Sequence, residues 1–239
     1  MHWENQILPL CIACAVMFLG SCNRAKPDSP QLYLALGDSY TSGQSVDPND
    51  RWPVQLASML REQKIDLGEP RIIAQTGWTT DELSAGIDDE NPRATFQLVS
   101  LQIGVNNQFR GRSVEEFRTQ FSDLLKRSIG FAGGINGHVF VLSIPDWGVM
   151  PFARGRDRSA IGRQIDQFNS VCRKECERQQ IAFVDITSIS RRAAEDSTLI
   201  AQDVLHPSAK MYRLWCEAAL PTVRDALKDF LQRPATHNM

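Results

Sequence analysis

The sequence lacks a charge excess of either sign. Its 26 Lys and Arg against 28 Asp and Glu leave a formal charge of −2 over 239 residues. That balance argues against nucleic-acid binding and against a charged disordered chain. Long apolar runs are also missing. The longest, Ile7–Leu19, has 13 residues and is interrupted by Pro9, too short for a membrane span and suited to a signal-peptide core. Histidine is scarce, with four in the chain, and no pair of His, Cys or Glu clusters shows metal-ligand spacing. Of six cysteines, Cys11 and Cys14 fall in the apolar run and Cys22 follows it, so Cys172, Cys176 and Cys216 remain for the folded part and read as small buried residues.

What is present is the alternation of short apolar runs with longer amphipathic segments that marks βα units and a parallel sheet. The expected strands are Gln31–Leu36, Arg71–Ala74, Leu98–Ile103, His138–Ile144 and Ile181–Asp185. The expected helices are Trp52–Lys64, Thr80–Ile87, Ser113–Ser128, Ser159–Gln179 and Pro207–Leu231, with Pro207 in the first turn of the last. Runs such as Val139-Phe140-Val141-Leu142 are apolar throughout, as in strands covered on both faces. Five strands and five helices predict an α/β fold, a three-layer α/β/α sandwich on a five-stranded parallel sheet. With 42% hydrophobic residues the chain supports one domain. Its expected organisation is a signal segment at 1–22, a polar tether at 23–30, the domain at 31–231 and a tail at 232–239.

Ligands of open parallel sheets bind beyond the carboxyl ends of the strands, and the unusual polar residues fall there. Ser39 follows the first expected strand, Gly77 and Trp78 the second, Asn106 and Asn107 the third, Asp146 and Trp147 the fourth, and Asp203 with His206 the fifth. A serine hydroxyl needs a base, itself oriented by a third group, to act as a nucleophile. His2 and His237 are terminal and His138 lies at the amino end of a strand, so His206 is the well-placed base. Asp203 is the orienting acid. Donors for an oxyanion are sought in the backbone N–H groups of Ser39 and Gly77 and the side-chain amide of Asn106.

These blocks carry a resemblance. Gly37-Asp38-Ser39-Tyr40, Gly77, Gly104-Val105-Asn106-Asn107 and Asp203-Val204-Leu205-His206-Pro207-Ser208 resemble the motifs of the GDSL, or SGNH, hydrolases over residues 33–220. The first block has tyrosine where the family usually has leucine. The third has Asn107 where aspartate is frequent. The resemblance implies a flavodoxin-like sheet, an esterase or lipase activity through an acyl-enzyme, and no metal or organic cofactor. Leu19-Gly20-Ser21-Cys22 resembles a bacterial lipobox, which implies export and lipid attachment at Cys22.

Substrate is less legible. Asp38, Trp78, Asn107 and Trp147 are taken as substrate-binding positions, with Phe152 a further aromatic near the site. Asp38 is also read as a loop-ordering residue, and Asp146 as a turn residue. Arg110, Arg112, Arg154, Arg156, Arg158 and Arg163 are read first as exposed loop charge, and alternatively as a positive rim favouring anionic esters. No long insertion suggests a lid, so small or short-chain esters, such as O-acetyl groups on glycans, are expected. Lysophospholipids are the rival substrate, and an inactive carbohydrate- or lipid-binding module is the rival class. Membrane contact is expected through the lipid anchor alone.

Overall fold

The computed structural model describes residues 32–232, and their side chains as far as residue 228. The expected signal segment with Cys22, the tether, and all but the first residue of the tail lie outside the described residues.

Five strands form one parallel sheet: β1 Tyr33–Gly37, β2 Arg71–Ala74, β3 Leu98–Gln102, β4 Val139–Leu142 and β5 Ala182–Val184, in the order β2-β1-β3-β4-β5. Every residue of β1, β3 and β4 is buried, because helices cover both faces of the central strands. The edge strands β2 and β5 are partly exposed. Among the described residues, eight α-helices accompany the sheet: α1 Ser39–Ser42, α2 Trp52–Glu62, α3 Thr80–Glu90, α4 Val105–Phe109, α5 Val114–Phe131, α6 Arg158–Arg178, α7 Thr187–Arg191 and α8 Ala209–Gln232. One layer is built on the packing of α2 against α8, the other on α5 between α3 and α6.

Local sequence explains the boundaries. Thr79 and Glu82 form a capping box that starts α3, and the Ser113 hydroxyl accepts the Glu116 N–H to start α5. The stripe Phe117, Phe121, Leu124 and Leu125 is buried beneath α5. Cys172, Cys176 and Cys216 are buried free thiols.

The last helix departs from expectation at its start. Pro207 is not in its first turn but pairs with Ile200 in an isolated antiparallel bridge, and α8 begins at Ala209 after Ser208. The Ser208 hydroxyl accepts the Met211 N–H at 3.3 Å, which places the cap one residue beyond the proline. Farther on, α8 continues through Pro221.

Candidate active site

The turn after β1 presents Ser39. Register pairs Gly37 with Ala74 of β2 and with Gln102 of β3, so the chain leaves the middle of the sheet at this point. Asp38 caps α1: its carboxylate accepts the Tyr40 N–H at 3.0 Å. It is only 1% exposed, and burial pushes its carboxyl up to about 7 despite that hydrogen bond.

The loop before α8 brings the base to the serine. His206 Nε2 lies 3.0 Å from Ser39 Oγ, across 167 positions of sequence. His206 Nδ1 donates to Asp203 Oδ2 at 2.6 Å, and the Ser45 hydroxyl donates to the same oxygen, also at 2.6 Å. Asp203 Oδ1 accepts the backbone N–H groups of Leu205 at 3.0 Å and His206 at 2.9 Å. Partial burial raises the Asp203 carboxyl, but the Ser45 hydroxyl, the His206 N–H and ring, and the Leu205 N–H outweigh it and hold it at about 2. The acid is therefore a carboxylate at neutral pH. Between the two groups Val204 takes a positive φ of 60°, unusual for a β-branched residue. Its carbonyl accepts the Phe152 N–H at 3.1 Å, joining this turn to the loop after β4.

Two further strand ends meet here. Gly104 turns the chain from β3 into α4 with φ 124°, and a Cβ there would come within 2.6 Å of the Phe117 ring. That turn sets Asn106, whose Nδ2 donates to the Trp78 carbonyl at 2.9 Å and keeps its second N–H for another acceptor. Gly77, at φ 90°, is pinned from behind by Arg110, whose Nη2 donates to its carbonyl at 2.6 Å. Among the described residues, neither the Ser39 nor the Gly77 backbone N–H has an acceptor.

A groove of about 220 Å³ opens at this edge, lined by Ser39, Asn106 and His206 at its polar end and by Val105, Phe109, Trp147, Phe152 and Leu205 along its apolar walls. The Trp147 indole N–H donates to Gln108 Oε1 at 2.8 Å, which fixes the ring. Phe109 and Phe152 are 45% and 40% exposed at the rim.

Trp147 thus lines the groove as expected from its position. Three other expected substrate contacts are corrected. Asp38 is sealed under α1 and faces its own helix start. Asn107 is fully buried, accepting the Thr80 N–H at 3.1 Å and donating to the Thr80 hydroxyl at 2.7 Å, so it ties α4 to α3. Trp78 is not among the residues that line the groove: its ring lies on Gly86 of α3, where a Cβ would collide with it, and its carbonyl accepts the Asn106 amide. Asp146 is a turn residue, accepting the Gly148 N–H and pairing with Arg191. Sequence reasoning missed Ser45 and Phe109 altogether, and it read Arg110 and Arg156 first as loop charge and only alternatively as part of a positive rim. Among the described residues, no group of three or more His, Cys, Asp or Glu is placed to hold a metal ion.

Comparison with known proteins supplies the family. No curated protein matches the chain. Among solved structures it is similar to TesA, at 17% identity and a TM-score of 0.65, over 82% of this chain and 100% of that one. It is also similar to Axe2, an acetylxylan esterase from Geobacillus stearothermophilus, at 18% identity and 0.62, over 82% and 94%. The psychrotrophic esterase EstA from Pseudoalteromonas sp. matches at 19% identity and 0.58, over 85% and 100%. These likenesses establish the fold. The model of the GDSL-like lipase/acylhydrolase family matches residues 35–214, from inside the strand that presents Ser39 to a point in the helix after His206. Because that match covers four strands of the sheet, most of the fifth and three quarters of the chain, the protein belongs to the GDSL-like lipase/acylhydrolase family and is an ester hydrolase.

Proposed function

We propose that the protein hydrolyses small or short-chain esters through a covalent intermediate on Ser39. The observation that carries this reading is the continuous hydrogen-bonded chain from Ser39 Oγ through the His206 ring to Asp203, at 3.0 Å and 2.6 Å. With Nδ1–H directed at a carboxylate, Nε2 has its lone pair toward the hydroxyl. His206 takes the Ser39 proton as Oγ attacks the acyl carbon, and Asp203 stabilises the imidazolium that results. The carbonyl oxygen gains a negative charge, for which the N–H groups of Ser39 and Gly77 and the free N–H of Asn106 are the donors, each worth about 3 kcal/mol of barrier. His206 returns the proton to the alcohol oxygen as the C–O bond breaks, leaving an acyl-Ser39 ester. Water then attacks that ester with His206 again as base, releasing the carboxylic acid and restoring the hydroxyl.

The size of the groove supports short acyl groups, since sites for larger ligands usually exceed about 300 Å³. O-acetyl esters fit this description, and the acetylxylan esterase among the structural relatives is in keeping with it. Export and lipid attachment at Cys22 belong to the same proposal and rest on residues 1–22 alone.

The test is turnover of p-nitrophenyl acetate, butyrate and octanoate by the protein and by Ser39→Ala. The variant is expected to lose at least ~1,000-fold in kcat, with acetate or butyrate the best substrate. Equal rates in the two folded proteins would refute the role of Ser39. A preference for octanoate would refute the short-chain assignment.

A further inference from the structure

Arg156 stands apart from the other arginines near the site. Arg110 is committed to Glu82 and to the Gly77 carbonyl, Arg112 to Asp81 and Glu116, and Arg158 donates to the Met150 carbonyl. The Arg156 guanidinium meets none of these. It sits over three aromatic rings, 5.3 Å from the centroid of Phe109, 5.4 Å from Trp147 and 5.7 Å from Phe152. Those rings touch one another, with centroids 5.3 to 6.4 Å apart, and all three line the groove that leads to Ser39. Among the described residues, no carboxylate or carbonyl accepts a hydrogen bond from this guanidinium.

Stacking on aromatic rings uses the face of a guanidinium and leaves its edge, with five N–H donors, available. The ring cluster therefore holds the charge in one place without neutralising it. The loop that carries it is also fixed. The Arg156 N–H donates to the Ala153 carbonyl at 3.1 Å, and the Phe152 N–H anchors to Val204 in the His206 turn. A preformed cation with an unused planar fork, at the outer end of an apolar groove, suits a planar or tetrahedral anion.

Resting on the reading of Ser39 as the nucleophile, we propose that Arg156 determines specificity. It selects esters that carry an anionic group, such as a carboxylate, on the part of the substrate that extends past Phe109 and Phe152. The acyl group or the alcohol supplies that charge, and matched pairs distinguish the two. On the acyl side the pair is p-nitrophenyl hexanoate and the p-nitrophenyl monoester of adipic acid; on the alcohol side, phenyl acetate and 3-carboxyphenyl acetate.

In Arg156→Gln, kcat/KM for the charged member of one pair is expected to fall about tenfold, with its neutral partner within about twofold of wild type. Arg156→Lys should recover part of the loss, and ~0.5 M NaCl should erode the wild-type preference. Equal losses on neutral and charged esters in both pairs would overturn the proposal and make Arg156 a cover for the rings. A second arm needs no turnover. In Ser39→Ala, binding of 4-phenylbutyrate measured by calorimetry should weaken about tenfold when Arg156→Gln is added. Unchanged binding counts against Arg156, whereas turnover persisting in Ser39→Ala counts against the nucleophile alone.

Discussion

Ser45 and Asp38 are single residues whose importance comes from where they place a hydrogen bond or a charge. The Ser45 hydroxyl and the His206 ring share Asp203 Oδ2, each at 2.6 Å. Removing the hydroxyl leaves a carboxylate freer to rotate away from the imidazole. Ser45→Ala is expected to lower kcat about three- to tenfold, the range of one lost hydrogen bond, with little change in the denaturation midpoint. Steady-state kinetics beside a urea titration separates the two effects. Asp38 has the opposite character, because its burial disfavours the charge. It titrates near 7 in the fold against 3.8 ordinarily. The folded chain therefore keeps a proton that the unfolded chain has released, and this group's contribution to stability falls as pH rises from about 4 to about 7. Asp38→Asn retains an oxygen for the Tyr40 N–H and abolishes that dependence. It should be more stable than the parent by on the order of 3 kcal/mol at pH 8, with the gap closing toward pH 4. Urea midpoints at the two pH values measure this.

At the scale of elements, α8 contains its own test. Pro221 is exposed inside a 24-residue helix and has no N–H to continue the ladder. Pro221→Ala restores that donor without touching the core, and should stabilise the protein by about 1–3 kcal/mol in chemical denaturation. The amphipathic pattern of this helix was legible straight through the proline, because burial of Tyr212, Trp215, Ala219, Val223 and Leu227 follows helical spacing on both sides of it. Strands were legible for a related reason: β1, β3 and β4 are wholly buried, and their residues are apolar apart from Gly37 in β1 and Ser100 and Gln102 in β3. Short helices were not. α1, α4 and α7 have four or five residues, too few for a periodic stripe, and their positions are fixed by strand ends rather than by propensity.

The same limit governed the site. Ser39, Asp203 and His206 were readable because each sits in a compact local motif, and their convergence follows from the parallel sheet. Neighbours in those motifs were misassigned because adjacent residues on a helix point about 100° apart. Asn107 therefore faces Thr80 while Asn106 faces the Trp78 carbonyl. Ser45 was invisible, since its partner lies 158 positions away.

On the scale of the whole molecule, the direction of the sheet separates the ends of the domain from its chemistry. Tyr33 enters β1 at the amino edge, and Ser39 lies beyond the opposite end, after a strand of about 16 Å at ~3.3 Å per residue. α8 starts beside His206 and returns to the same amino edge, where it packs on the turn at Asn136–His138 ahead of β4. Both ends of the domain thus leave from the side away from the groove. A bead or fusion partner joined at either end of the described residues is therefore attached on the side of the sheet opposite Ser39. Such an attachment leaves the approach to the groove unobstructed by the attached body's own starting point.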